Sequence, residues 1–150
     1  MSADEPFPRG SIIQELWVAA RYGLEVADAE LQAAGVTLEE YGHLSFVGVL
    51  QPVTRTRLSK ASGMRRTTLR DVVARMIERD HVEEQPNPRD GRSTLLSLTP
   101  AGQAIFDRGQ PAFGRALVKL DDALNGQLHE HEEAVRRVRL ALQRLAGEEP

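Results

Sequence analysis

The sequence predicts a mainly α-helical protein with one small β-hairpin. Apolar residues recur at steps of three and four through most of the chain, and this spacing gives a helix one apolar face. Two short segments, 82–85 and 94–98, are predicted as strands, and the segment between them is rich in turn-forming residues, as in a hairpin. A chain of 150 residues can bury a core without disulfides, so we expect a single domain over 1–150.

The first half of the chain predicts two helices. The first covers about residues 12–34 and ends at Gly35, and the second covers about 38–50 and is stopped by Pro52. The apolar stripe of the first helix consists of Ile13, Trp17, Ala20, Leu24, Ala27 and Leu31.

The middle of the chain predicts a pair of helices joined by a glycine. A short helix near 54–62 leads to Gly63, and an amphipathic helix follows over about 65–79. Asp80 stands where that helix should end, and aspartate tolerates the left-handed backbone conformation better than most residues. The hairpin comes directly afterwards, with Arg89 and Arg92 in its turn.

Two more helices are predicted after the hairpin. Thr99 and Pro100 form an N-cap followed by proline at the first helical position, and Pro111 predicts a kink further on. The last helix is expected to begin near Asn125. Its stripe consists of Leu128, His131, Val135, Val138, Leu142 and Leu145.

The first and last stripes predict a homodimer, because a chain this short offers little else to cover them. We therefore expect the dimerisation helices at about 11–35 and 100–147, with a separate lobe between them at about 38–98. An interface built from two such stripes resembles a protein core and is typical of an obligate dimer.

Charge is distributed unevenly along the chain. Residues 1–53 carry two arginines and eight acids, whereas residues 54–92 carry ten lysines and arginines and six acids. Within 54–70 there are six basic residues and no acid. A local cationic patch in a chain of net charge -3 favours a polyanion-binding surface, although charge alone is equally compatible with an ordinary solvated patch.

A helix, a glycine turn, a second helix and a basic hairpin, in that order, form the arrangement of a winged helix-turn-helix. Residues 58–102 resemble the multiple-antibiotic-resistance regulator (MarR) family of bacterial repressors, and the segment 58–64 matches the lead into its recognition helix. The hairpin, or wing, carries the strongest part of this resemblance. The family's pattern of Asp, any residue, Arg and a small residue, then an apolar strand ending in Leu-Thr, falls on Asp90, Arg92, Ser93, Leu98 and Thr99.

The resemblance implies a DNA-binding transcriptional regulator, a repressor released by a small aromatic ligand. In the family the wing aspartate orients the arginine that enters the minor groove, which implies these roles for Asp90 and Arg92. The recognition-like helix would place its N-terminal turns in the major groove, where arginine can pair with guanine. The expected DNA contacts are Arg55, Arg57, Lys60, Arg65, Arg66, Thr67, Thr68, Arg70, Arg89, Asp90 and Arg92.

Three positions depart from the family pattern and bear on the operator sequence. Arg65 stands where relatives often have a capping Ser or Thr, and Asp71 stands where they commonly have Arg. Asp80 and His81 replace the usual Gly-Leu after the recognition helix.

Aromatic residues of the first two helices predict an effector pocket, or else plain core. Trp17, Tyr22, His43 and Phe46 could line a pocket of the kind in which members of the similar family bind aromatic or phenolic effectors. His129 and His131 suggest a metal site, but residues two apart point to different sides of a helix, so no metal or other cofactor is expected.

Enzymatic function is not predicted, because the sequence has no cysteine, no glycine-rich phosphate loop and no nucleophile motif. No apolar run approaches the length of a membrane span, and the first residues do not resemble an export signal, so we expect a cytoplasmic protein without a membrane partner. The alternative hypothesis is a winged-helix module that binds a protein and does not read DNA. We expect salt-dependent binding to duplex DNA to separate the two.

Overall fold

The computed structural model describes residues 11–147, and this segment has the predicted mainly α-helical fold with a small sheet. The sheet adds one strand that the sequence did not predict. In chain order the elements are α1 (Ile12–Ala33), α2 (Leu38–Leu50), β1 (Val53–Thr54), α3 (Arg55–Ser62), α4 (Arg66–Glu78), β2 (Val82–Pro86), β3 (Thr94–Leu98), α5 (Pro100–Ala123) and α6 (Leu128–Leu145).

The three strands form an antiparallel sheet in the order β1, β3, β2. The register places Val53 opposite Leu96 and Val82 opposite Leu98, and all four side chains are buried. The additional strand, β1, has only two residues, which is too short for an alternating apolar pattern to be visible in the sequence. Its pairing attaches the start of α3 to the root of the wing.

The core lies between α2, the first half of α5 and the helix-turn-helix. Tyr41 of α2 lies between two rings of α5, with its centroid 6.2 Å from Phe106 and 5.9 Å from Phe113. Burial raises the pKa of the Tyr41 hydroxyl. The helices approach closely here, since a Cβ added to Gly48 would lie 2.4 Å from the Phe106 ring and one added to Gly109 would lie 2.2 Å from the Tyr41 ring.

Turn residues end the helices of the DNA-binding motif as expected. Gly63 closes α3 with φ +69°, and Asp80 follows α4 with φ 56°, in the predicted left-handed conformation. The predicted start of α6 near Asn125 is wrong. Asn125 and Gly126 both have positive φ and form a turn, so α6 begins three residues later, at Leu128.

The apolar stripe of α1 divides into two parts. Ala27 and Leu31 are buried within the chain itself, whereas Ile13, Trp17 and Leu24 are more than half exposed. The expectation that the whole stripe needs a second subunit is therefore wrong for its C-terminal end. That end is also held to α5 through Glu30, which accepts hydrogen bonds from Arg115 and Lys119, and these cations lower the pKa of its carboxyl.

The last helix contributes no buried residue to the chain. Val135 is 52% exposed and Leu145 is 85% exposed, although both belong to an amphipathic stripe. Within residues 11–147, no helix is both long enough and apolar enough to cross a membrane.

Candidate nucleic-acid interface

The residues expected to contact DNA lie on α3, α4 and the wing, and ten of the eleven are exposed. The exception is Arg55, at the first position of α3, which is half-buried. On α4 the buried residues are Leu69, Val72, Val73 and Met76, so the opposite face of that helix is free in the chain. The exposed ten are Arg57, Lys60, Arg65, Arg66, Thr67, Thr68, Arg70, Arg89, Asp90 and Arg92.

The side chain of Arg55 is paired with a carboxylate of the wing. Its guanidinium donates to both oxygens of Glu84 on β2, at 3.1 and 3.0 Å, and the Thr94 hydroxyl also donates to Glu84. These hydrogen bonds lower the pKa of the Glu84 carboxyl, and those from Arg55 have the largest effect. The expectation that Arg55 contacts DNA stays a prediction, although in the single chain its guanidinium is bound to Glu84. In this structure Arg55 fixes the wing root to α3, a role that sequence reasoning assigned to no residue.

Two cationic grooves lie on either side of the first turn of α3. One, of about 270 Å³, lies between α3 and α4 and is lined by Arg55, Arg66 and Arg70. The other, of about 440 Å³, lies between α3 and the wing and is lined by Arg57 and Arg89 among others. The helix N-terminus between them is capped by Thr54, whose hydroxyl accepts from the Arg57 backbone N–H. Unpaired N–H groups and cations at one helix end favour an anionic ligand.

The wing tip is held by side chain to backbone hydrogen bonds. Asp90 Oδ1 accepts from the backbone N–H of Arg92 at 3.1 Å, and Asn87 Oδ1 accepts from that of Arg89 at 3.0 Å. Asn87 also donates to the Ser93 hydroxyl across the turn. The expected contact of Asp90 with the Arg92 guanidinium is absent here, and Asp90 instead fixes the backbone that carries that side chain. Sequence reasoning missed Asn87, although turn-forming Asn followed by Pro was a signal.

The start of α4 lacks a side-chain cap, as the departure at Arg65 implied. Arg65 occupies the N-cap position with extended backbone and makes no capping hydrogen bond. Further along, Arg70 Nε donates to Asp71 Oδ1 at 3.3 Å. Among residues 11–147 no carboxylate oxygen lies within 4.0 Å of the charged groups of Arg57, Lys60, Arg65, Arg66, Arg89 and Arg92.

Of the residues expected to line an effector pocket, His43 lines a small cavity of about 60 Å³ with Glu39, Arg75 and His81, among others, between α2 and α4. Trp17 is 78% exposed, Tyr22 54% and Phe46 37%, and none of them lines that cavity. Trp17 and Tyr22 are therefore not part of the core of the single chain, and the effector pocket stays a prediction. In the described segment, no three His, Asp or Glu side chains are grouped as a metal site would require.

The geometry of helix, turn, helix and wing agrees with a family model. The model of the MarR family matches residues 34–93 of this chain. This part of the chain is therefore similar to the MarR family. The matched segment runs from the residue after α1 to Ser93 in the wing turn, and so includes both helices of the motif and all eleven expected DNA contacts.

A curated relative is also similar to part of the chain. The HTH-type transcriptional repressor NicR of Pseudomonas putida is 34% identical over 56 residues, which are 37% of this chain and 35% of NicR. The match thus spans about a third of that curated relative.

Solved structures match over nearly the whole chain. The PcaV transcriptional regulator of Streptomyces coelicolor, solved with its natural ligand, has a TM-score of 0.69 at 22% identity and covers 95% of this chain and 99% of its own. The S. aureus MepR–DNA complex has a TM-score of 0.69 at 17% identity and covers 90% and 98%. At such identities the likeness establishes the fold.

Proposed function

We propose that this protein is a sequence-specific DNA-binding repressor of the MarR family that acts in the cytoplasm as a homodimer, by binding and not by catalysis. The observation that carries the proposal is the set of cations on one face without carboxylate partners in the described segment. Arg57 and Lys60 on α3, Arg66 on α4 and Arg92 on the wing all belong to it. Such a face supplies the counterion release that drives binding to a duplex.

The elements suggest a division of labour on DNA. The N-terminal turns of α4, with Arg66 and Thr67, would enter the major groove, which is about 12 Å wide and admits a helix. The start of α3 would face phosphates with Arg57 and Lys60. The wing tip would bring Arg92 to a minor groove, where a narrow A·T-rich sequence deepens the negative potential.

The exposed apolar surface favours a second copy of the chain. The first half of α1, the end of α5 and α6 each expose large apolar side chains, for example Trp17, Val118 and Leu145. Exposed apolar patches on a protein often mark an interface with another protein. A symmetric dimer would place two α4 helices about 34–36 Å apart on a pseudo-palindromic operator.

Repression released by a small aromatic ligand is the finer part of the proposal. The name of NicR supports repression, and PcaV was solved with its natural ligand. Because Trp17 and Tyr22 are exposed on α1, a ligand site that uses them needs a wall from a second subunit. Aromatic acids should then weaken operator binding and quench Trp17 fluorescence, and operator DNA should weaken the ligand by the same factor. Quenching that leaves DNA affinity unchanged would remove the regulatory role.

Duplex binding measured by fluorescence anisotropy across a range of salt concentrations tests the DNA-binding proposal. The wild type should bind with an affinity that falls steeply with salt, and Arg89→Ala/Arg92→Ala should weaken binding and flatten that slope. The charge-matched control is Arg137→Ala/Arg144→Ala on α6, outside the proposed face, which should leave the slope unchanged. Equal losses in both double variants, or no binding by the wild type, would favour the protein-interaction alternative.

A further inference from the structure

Asp71 lies near the middle of the exposed face of α4. With about 100° per residue, the direction opposite Leu69, Val72, Val73 and Met76 passes within about 30° of Asp71, whereas Arg70 is about 70° away from it. Thr67, one turn earlier, and Glu78, at the end of the helix, are the other polar residues close to this direction, and all three side chains are exposed. Within the first two turns of this helix, Asp71 is therefore the acid that faces outward, beside the cations Arg66 and Arg70.

A carboxylate in this position restricts what the helix can contact. It is repelled by phosphates and by the acceptor atoms of guanine and thymine, but it can accept a hydrogen bond from the exocyclic amine of cytosine. The exocyclic amine of adenine is also a donor, but the N7 acceptor beside it repels a carboxylate, so cytosine is the better partner. Where no amine lies within reach of the acid, its desolvated charge has no partner and costs binding free energy.

The pairing of Asp71 with Arg70 adds a second element of selection. Arg70 donates to Asp71 through Nε at 3.3 Å, which leaves the Nη1 and Nη2 edge of the guanidinium free. The two side chains are 75% and 60% exposed, so the pair adds little to stability. The pair matters for geometry instead, because the hydrogen bond to Asp71 orients the free edge of the Arg70 guanidinium.

We propose that Asp71 is the specificity-determining residue of the recognition helix, reading a cytosine amine itself and positioning Arg70 for a neighbouring guanine. This inference rests on the proposed DNA-binding function. It assigns a chemical class to the operator, namely a cytosine–guanine combination at a fixed place in each half-site.

Selection from a randomised duplex library, with the full chain, tests the inference. The wild type should enrich a C·G pair at one position of each half-site, and Asp71→Ala should reduce that preference about fivefold or more. Asp71→Asn should move the preference at the same position towards adenine, which an amide reads. Glu78→Ala is the matched control, since Glu78 is an exposed acid on the same face at the end of α4, and it should select the wild-type sequences.

Each outcome decides a different point. Asp71→Ala could select the same sequences as the wild type and bind all duplexes more tightly, which is the result expected of Glu78→Ala from its loss of charge alone. Asp71 would then act only through its charge, and the inference would be wrong. The same conclusion follows if Asp71→Asn keeps the wild-type profile. If the wild type itself binds no duplex, the proposed function fails and the inference fails with it. Thermal melts of the variants exclude loss of folding as the cause.

Discussion

The guanidinium of Arg55 donates two hydrogen bonds to the carboxylate of Glu84, 29 residues away in sequence. One residue begins the helix-turn-helix and the other lies on the wing strand β2, so the pair sets the position of one of these elements relative to the other, and both are proposed to face DNA. Thr94 on β3 donates to the same carboxylate, which connects the second wing strand to this pair. A wing anchored in this way reaches DNA with less loss of conformational entropy on binding than a free hairpin.

Removing the charge of Glu84 should loosen this anchor. We expect Glu84→Gln to lower the free energy of unfolding by about 1 kcal/mol at pH 7, since the pair is bidentate but partly solvated. Because the folded pKa of Glu84 is lowered, its contribution is present above the ordinary value of 4.5 and is lost as the pH falls through the folded value. Urea titrations at pH 7, 5, 4 and 3 should show the difference from wild type disappearing only in acid. Glu83→Gln, on the adjacent exposed position, should show none at any pH.

The close contact of α2 with α5 predicts opposite effects for two glycines of the same helix. Gly48→Ala should destabilise the protein by about 1–3 kcal/mol, because its methyl group would overlap the buried Phe106 ring. Gly42 has no atom within 4 Å of an added Cβ, so Gly42→Ala should stabilise by up to about 1 kcal/mol. Thermal denaturation midpoints would then rank Gly42→Ala above wild type and Gly48→Ala below it. The reverse ranking would mean that the two helices are farther apart than described.

The sequence predicted the helices well where periodicity and turn residues agreed. The bounds of α2 and the ends of α3 and α4 follow from Pro52, Gly63 and Asp80, whose backbone preferences act locally. The start of α6 was misplaced although the sequence carries a signal there, because Asn125 followed by Gly126 is a pair that favours a turn, and both residues have positive φ. Strand β1 was missed for a different reason. Two residues acquire strand character only through a partner strand more than 40 residues away.

The candidate site was predicted as a set of residues but not as a set of contacts. Charge and motif spacing identified the exposed cations correctly as surface residues of α3, α4 and the wing. They did not reveal that Arg55 is bound to Glu84, since that pair depends on the position of β2 over α3. The same limit explains the aromatic residues, because periodicity groups Trp17 with Leu31 on one stripe although only Leu31 is covered by the chain.

The uncapped start of α4 predicts that stability and DNA affinity can be changed in opposite directions. Arg65→Ser should stabilise the protein by about 1 kcal/mol, because a serine hydroxyl can accept from an orphan N–H of the first turn. It should also weaken DNA binding, since a cation near phosphate is lost. Arg65→Ala loses the same charge without gaining a cap, so it should weaken binding equally and leave the melting temperature at or below the wild-type value. Equal melting temperatures for the two variants would argue against the missing cap.

The wing turn predicts a difference between two substitutions at Asp90. Asp90→Asn keeps an oxygen that can accept from the Arg92 backbone N–H, whereas Asp90→Ala removes it. We therefore expect Asp90→Asn to keep most of the preference for A·T-rich flanks and Asp90→Ala to lose it to the extent that Arg92→Ala does. Competition between A·T-rich and G·C-rich flanking duplexes measures this preference. If Asp90→Asn is as damaged as Asp90→Ala, the carboxylate acts through its charge on the guanidinium and not through the backbone.

The contributions of α3 and α4 to DNA binding should differ in how they depend on salt concentration and on base sequence. Arg70→Ala should cost about 1–3 kcal/mol on the preferred operator and relax the preference at one base pair of each half-site, because Arg70 is exposed on α4, the helix proposed to enter the major groove. Lys60→Ala, on α3, should weaken binding to all duplexes alike and reduce the salt slope by roughly one unit, as the loss of one phosphate contact does. Affinities of both variants for the operator and for a scrambled duplex, each at four salt concentrations, give the comparison. Losses with the same sequence profile and the same salt slope would show that α4 does not read bases separately from α3.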